Sequence, residues 1–98
     1  MIMEIECLAT PPGVPDDHYR HIEAAIAVIQ RSGLAYEVDA LGTTIEGDPD
    51  ELWPLLRAVH EACLDAGADS VVTVVKVAQT SSRLPAATMT GLTGKFRS

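Results

Sequence analysis

Polar side chains interrupt strands that are otherwise apolar in this sequence, and they are the groups best placed to orient a small ligand. Hydroxyls and carboxylates that converge on an apolar cavity are typical of a site that binds a small molecule. For any one of these residues, a bond to a neighbouring group or to water is an equally good interpretation, because buried polar groups need partners. The set is Glu4, Glu6, Tyr36, Glu37, Thr43, Thr44, Glu46, Thr73 and Lys76.

The three histidines are the next candidates for chemistry. His18 and His21 have the spacing of metal ligands, but no third ligand lies nearby in the sequence, so we predict solvated histidines on a helix surface and no metal site. His60-Glu61 lacks the second histidine of a zinc-protease motif. We predict that His60 is a partly buried, hydrogen-bonded helix residue and a minor candidate for contact with a ligand or a neighbouring subunit.

Several catalytic and carrier functions lack the residues that they need. An RNA-recognition sheet stacks bases on aromatic residues of its first and third strands, and these strands have none. A metallochaperone needs paired thiols after the first strand, where Cys7 stands alone. An acylphosphatase-like enzyme uses an asparagine, which the sequence does not contain. No phosphate-binding glycine loop or nucleophile elbow is present. We therefore predict a non-enzymatic protein with no catalytic residues and no cofactor.

The composition and the net charge restrict the classes of partner that the protein is expected to bind. The 98 residues suffice for one domain, 1–98, and the net charge of -7 disfavours nucleic acid while it suits a cationic small molecule. Cys7 and Cys63 are not spaced as a CxxC pair, so we predict two buried thiols and no disulfide. Neither a signal peptide nor a membrane span is predicted from the pattern, and we expect a cytoplasmic protein.

The elements that must position these residues form two similar halves. The first half has a strand over 1–9, a proline-rich loop over 10–15 and a helix capped by Asp16 or Asp17. Ser32-Gly33 ends this helix. Its apolar stripe is Tyr19, Ile22, Ala25, Ile26 and Ile29.

The second half begins with two strands, 35–39 and 43–46, which a short turn with glycine joins. The next helix starts within 47–50 and ends at Gly67, and Pro54 predicts an irregular first turn. Its buried stripe is Leu52, Leu55, Leu56, Val59 and Cys63. The last strand covers 70–78, and a short helix is possible in the remaining segment, 79–98.

The order β-α-β-β-α-β predicts an α+β, ferredoxin-like sandwich. Right-handed crossovers place both helices on one face of a four-stranded antiparallel sheet. The last strand is apolar on both faces, because Val72 and Val74 alternate with Val71 and Val75. Something must cover the second face, and a second copy of the chain is the simplest cover. The alternative is that the segment 79–98 folds over it.

Several pieces of the sequence resemble one known family. The pieces are Ser32-Gly33-Leu34-Ala35-Tyr36-Glu37, Leu41-Gly42-Thr43-Thr44-Ile45-Glu46-Gly47, Ala58-Val59-His60-Glu61-Ala62 and Ala66-Gly67-Ala68-Asp69-Ser70-Val71-Val72-Thr73-Val74-Val75-Lys76-Val77. On these residues the chain resembles the thiamine-binding protein family, in its small single-domain, YkoF-like form. The Gly-Thr-x-Ile-Glu-Gly piece is the most specific of them.

The resemblance implies a ferredoxin-like subunit that assembles into dimers and then tetramers through its sheets. It also implies binding of thiamine or its hydroxymethylpyrimidine moiety without turnover, for sensing, storage or delivery. On matching positions it implies that Tyr36, Thr43, Glu46, Thr73 and Lys76 bind the ligand. Hydroxyls would come from both threonines, and Glu46 would accept from an aminopyrimidine or balance the thiazolium charge.

The chain departs from the family after the last strand. Relatives tend to have an acidic pair followed by arginine, whereas this chain has Ala78-Gln79-Thr80-Ser81-Ser82-Arg83. Any ligand or subunit contact made by that pair is therefore not expected here. Two functions follow: a thiamine-class binding protein, or an oligomeric structural or regulatory module with no small-molecule ligand.

Overall fold

The computed structural model describes residues 1–96 as an α+β, ferredoxin-like sandwich. The four strands form one antiparallel sheet in the order β2-β3-β1-β4. The elements are β1 (Ile2–Thr10), α1 (Arg20–Arg31), β2 (Ala35–Asp39), β3 (Gly42–Glu46), α2 (Pro49–Asp65), β4 (Ser70–Ala78), α3 (Met89–Thr93) and a 3-10 turn, Gly94–Phe96.

Helices α1 and α2 pack side by side on one face of the sheet, here called the helix face. Alternate residues of β1 supply the sheet side of the core, where Met3 and Ile5 are almost fully buried. Ile29 of α1 and Leu52 of α2 close it from above. Within residues 1–96, the buried hydrophobic core contains aliphatic and sulfur-containing side chains and no Phe, Tyr or Trp ring.

The opposite face of the sheet, here called the open face, is covered by neither α1 nor α2. The register pairs Leu8 with Val72 and Glu6 with Val74 on this face. Leu8 is 50% exposed, and Val72 and Val74 are 62% and 45% exposed. These three side chains form an exposed apolar cluster, beside polar residues such as Glu4 and Lys76, and such a cluster is what the sequence argument for a partner requires.

Two local expectations about the helices are wrong. Helix α1 begins at Arg20 rather than at the aspartates, because residues 14–17 form a small turn of their own, closed by bonds between Val14 and Asp17. Tyr19 therefore precedes the helix and is 64% exposed. Helix α2 is regular from Pro49 through Pro54. Its first turn is held by a capping bond, in which the amide of Asp48 donates to Glu51 at 3.1 Å.

The segment after β4 is an arm that lies largely outside the sandwich. It turns at Ser81–Leu84 and forms α3 and the 3-10 turn, and none of its helical residues is buried. The radius of gyration, 14.3 Å, exceeds the roughly 13 Å of a compact domain of this length. The short helix that the sequence allowed is confirmed, but the arm leaves Leu8, Val72 and Val74 of the open face exposed, while Ile2 at the end near the arm is buried.

Candidate functional site

A cavity of about 440 Å³ lies on the helix face, between α1, β1 and the tip of the β2–β3 hairpin. Here it is called the helix-side cavity. Its wall is mainly apolar: α1 contributes Ile22, Ala25, Ile26 and Ile29, while β1 contributes residues 5–10. The hairpin contributes residues 38–43. This volume falls within the range of pockets that hold a small organic ligand.

Unequal strand lengths create this cavity. Strand β3 has five residues and pairs with β1 only from Ile2 to Ile5, whereas β4 pairs with β1 along all nine residues. The second half of β1, Glu6–Thr10, therefore has a neighbour on one edge only. Helix α1 still spans this half of the sheet, so a space opens between the helix, the free edge and the hairpin tip.

The mouth of the cavity has an unusual number of exposed apolar side chains. Leu41 at the hairpin tip is 82% exposed, and Tyr19 and Val38 are 64% and 48% exposed. Glu6 and Asp39 also belong to the lining, but the strand register turns both side chains towards the opposite face of the sheet. An apolar entrance of this kind suits a flat organic ring.

Of the five ligand residues that the family resemblance implies, Thr43 is the one that lines the cavity. It lies opposite Ile5 on β1 and Val38 on β2, faces the helices and is 5% exposed. Tyr36 points to the same face of the sheet from the edge strand β2, where it pairs with Ile45. It does not line the cavity.

Thr73 belongs to a separate hydrogen-bonded chain on the helix face. Its hydroxyl lies 2.6 Å from Nδ1 of His60 and is placed to donate to Sγ of Cys7 at 3.7 Å. His60 is half-buried, which confirms the sequence interpretation of a hydrogen-bonded helix residue. This chain joins a shallow depression beside Trp53 and Arg57 to the floor of the cavity, where Cys7 lies.

The thiols of Cys7 and Cys63 are both free and lie close enough to interact. Burial raises the pKa of the Cys63 thiol from 9.0 to about 12, and the neighbouring Cys7 adds to the shift. Cys63 is fully buried and Cys7 is partly buried. Cys63 is therefore a neutral core residue rather than a reactive thiol.

Glu46 and Lys76 lie on the open face, away from the other three predicted residues. A carboxylate oxygen of Glu46 accepts a bond from the amide of Met89 at 2.7 Å, which ties the arm to β3. Lys76 lies opposite Glu4, with 3.7 Å between its ammonium and the carboxylate. The structure thus divides the five predicted residues between two faces and does not bring them together.

Sequence reasoning missed most of the cavity wall because its residues are apolar and carry no chemical signal of their own. It was also wrong about His21, which is 2% exposed and not solvated. The ring nitrogen Nδ1 of His21 lies 2.7 Å from the carbonyl of Pro11, so this histidine fastens α1 to the proline loop. His18 is exposed, as expected, but it lies in the turn before α1 and not on the helix.

Among residues 1–96, no group of three or more His, Cys, Asp and Glu residues is placed to hold a metal ion. Within the same residues, no helix is long and apolar enough to cross a membrane.

Comparison with known proteins gives consistent matches. A family model described as thiamine-binding protein matches residues 5–92. A UPF0045 protein of Clostridium perfringens is 31% identical over 87 residues, which cover 88% of each chain.

Solved structures match over almost the whole chain. A domain of unknown function, DUF77, from Bacillus cereus is 33% identical with a TM-score of 0.81, over 99% of this chain and 91% of that one. A candidate thiamine biosynthesis/salvage protein of Thermotoga maritima has a TM-score of 0.77, over 99% of this chain and 100% of that one. It is 20% identical, so this likeness concerns the fold alone.

Proposed function

This chain belongs to the thiamine-binding protein family, and on that premise we propose that it binds thiamine or its hydroxymethylpyrimidine moiety without turning it over. Such binding would serve sensing, storage or delivery. The proposal includes a non-catalytic role and no cofactor, since thiamine would be a ligand. We place the protein in the cytoplasm as part of the same proposal.

The helix-side cavity is the observation that carries this proposal. Its volume of about 440 Å³ is sufficient for a two-ring ligand, and its wall is apolar apart from a few polar groups. The net charge of the chain, -7, favours the approach of a thiazolium cation.

Thr43 is the residue that we propose to bind the ligand in this cavity, through its hydroxyl. Tyr36 and Thr73 lie on the same face of the sheet but further from the cavity, and we retain them as candidate ligand-binding residues. Glu46 and Lys76 belong to a second candidate site, which two open faces would form if they stacked on one another. A carboxylate there would accept from an aminopyrimidine, as the family resemblance implies.

The proposed assembly is a homo-oligomer, a dimer of dimers, built through the open face. Leu8, Val72 and Val74 form an apolar cluster there, which supports burial against another copy. The same cluster favours the alternative function, an oligomeric structural or regulatory module with no small-molecule ligand.

Isothermal titration with thiamine and with hydroxymethylpyrimidine tests the function directly. We expect saturable heat for at least one of them at micromolar concentrations. If neither ligand gives heat up to high micromolar concentrations, the module without a ligand becomes the better description.

Two variants locate the site. Thr43→Val keeps the shape of the side chain and removes the hydroxyl, so we expect about three- to tenfold weaker binding if the ligand occupies the helix-side cavity. Glu46→Gln is the matched test of the stacked-sheet site. Weaker binding in Glu46→Gln with unchanged binding in Thr43→Val would move the ligand to the open face.

A cavity-filling variant provides an independent check. Ala9 lines the cavity from β1, so Ala9→Phe should abolish the heat of binding while the far-ultraviolet circular dichroism stays the same. Ala58→Phe, on the exposed side of α2, adds the same ring outside the cavity and should leave binding unchanged.

A further inference from the structure

Charge is distributed unevenly along this chain. All fourteen acidic residues precede residue 79, whereas the arm, residues 79–98, has no acidic residue and carries Arg83, Lys95 and Arg97. The sandwich is therefore more acidic than the net charge of -7 shows, and the arm is basic. Opposite charge on two surfaces of one chain favours contact between them, within one copy or between copies.

The arm also presents apolar side chains that nothing in its own copy covers. Leu92 is 59% exposed and Phe96 is 76% exposed. The ammonium of Lys95 lies 5.0 Å from the centre of the Phe96 ring. An exposed aromatic ring beside a cation is a common anchor in protein interfaces.

The open face has the complementary character. Its apolar cluster, Leu8, Val72 and Val74, has Glu6 of β1 at its acidic border, while Glu4, the next residue on this face, is paired with Lys76. A basic arm with an aromatic tip matches an apolar cluster with an acidic border in both polarity and charge.

Distance decides between contact within one copy and contact between copies. The bond from Met89 to Glu46 holds the start of α3 beside Ile2, which pairs with Glu46. The Leu8–Val72 pair lies six residues further along β1, about 20 Å away at the rise of a strand. From Met89 to Phe96 the arm is helical and extends only about 11 Å.

We propose that the arm of each copy docks on the open face of a second copy, with Leu92 and Phe96 against the Leu8–Val72 cluster and Lys95 near the acidic border. The proposal rests on the homo-oligomer proposed above and goes beyond it. It makes the arm, and not the sheet alone, the element that connects subunits.

Photo-crosslinking in a mixture of isotopically labelled and unlabelled full-length subunits tests the contact. Leu92 is replaced by the photoreactive p-benzoylphenylalanine, and tryptic peptides are identified by mass spectrometry. We expect the arm peptide to be joined to the peptide of Val72 or that of Leu8, with half of the products combining labelled and unlabelled partners. Crosslinks within one copy only, or no crosslink to these peptides, would overturn the proposal.

A charge reversal gives a second measurement. Lys95→Glu should raise the dissociation constant of the oligomer about three- to tenfold in sedimentation equilibrium, and 0.5 M salt should weaken the native oligomer in the same direction. Arg57→Glu is the matched control, because it reverses one charge on α2, where Arg57 pairs with Glu61. Equal effects of the two variants would show that only net charge matters and would contradict docking of the arm.

The outcomes for assembly and for ligand binding are separable. A full-length chain that is monomeric at high micromolar concentration overturns both the oligomer and the docking of the arm, whatever thiamine does. An oligomer that persists unchanged in Lys95→Glu and Phe96→Ser contradicts the arm proposal alone. Thiamine titration of the same variants reports on the ligand proposal independently.

Discussion

At the scale of single residues, burial rather than sequence pattern decides which polar groups are available for chemistry. Thr73 has the residue type and strand position of a ligand-binding hydroxyl, but it is engaged with His60 and Cys7. Thr43 lies in the cavity wall instead. Both threonines lie at the same kind of alternating strand position in the sequence, so only the packed structure distinguishes their roles.

Cys63 leads to a prediction about pH. Its thiol has a pKa of about 12 in the folded chain, against 9.0 when exposed, so the folded state favours the neutral form. This stabilisation is fully present below pH 9 and is lost as the pH rises towards 12, because the unfolded chain then binds fewer protons than the folded one. We expect the free energy of unfolding to fall by up to about 1.4 kcal/mol per pH unit above pH 9.

Urea unfolding between pH 7 and 10.5 measures this effect, and Cys63→Ala is the reference that lacks the group. The difference in stability between the native chain and the variant should shrink as the pH rises above 9. A constant difference over this range would show that the Cys63 thiol ionises alike in both states.

At the scale of elements, the glycines that end the two long helices differ in their surroundings. Gly33 and Gly67 both have positive φ angles, +77° and +123°. A methyl group on Gly33 would meet nothing within 4 Å, whereas on Gly67 it would lie 3.2 Å from Nε2 of His21. Gly67→Ala should therefore be the more destabilising change.

We expect Gly33→Ala to cost about 1 kcal/mol, from backbone strain alone, and Gly67→Ala at least about 2 kcal/mol, because His21 must also move. The measurement is the urea midpoint of each variant at constant slope. Equal losses of stability in the two variants would show that the His21 ring can move aside at no cost in free energy.

Pro54 gives the opposite kind of prediction. Pro54 is exposed and lies inside α2. Its backbone nitrogen carries no hydrogen, so it cannot donate the hydrogen bond that a helix residue normally makes to the preceding turn. Pro54→Ala should raise the free energy of unfolding by about 1 to 3 kcal/mol, since little packing is lost and one hydrogen bond is gained. A loss of stability, or loss of thiamine heat, would reveal a role for the proline ring that its exposure does not indicate.

For elements with one strong sequence pattern, the first and last residues could be predicted. Strands β2 and β4 have the bounds that the sequence indicates, because turn residues delimit them clearly. The start of α1 could not be predicted in this way, because the backbone of Asp17 is bonded to Val14 in a local turn and the helix begins only at Arg20. The residue at which this helix begins thus depends more on a local turn than on a pairing between segments that are distant in the sequence.

At the scale of the whole molecule, the candidate site was the least predictable feature. Residue alternation predicts which side of a strand a residue faces, but the cavity depends on β3 being shorter than β1 and on where α1 crosses the sheet. These are relations between elements. The proposed assembly, by contrast, has a sequence signal, because an apolar strand needs cover on both faces.

That signal gives the last prediction. Val72 and Val74 are 62% and 45% exposed on the single chain, so charges placed there should not disturb the helix-face core. Val72→Lys combined with Val74→Lys should convert the oligomer to monomers, with the dissociation constant raised at least a hundredfold, because two buried apolar contacts per subunit would become buried charges. Sedimentation equilibrium measures the change, and circular dichroism confirms that the subunit stays folded. Leu41→Lys, at the exposed hairpin tip, is the control and should leave assembly intact. Persistence of the oligomer in the double variant would mean that subunits meet elsewhere, and the open face would need another cover.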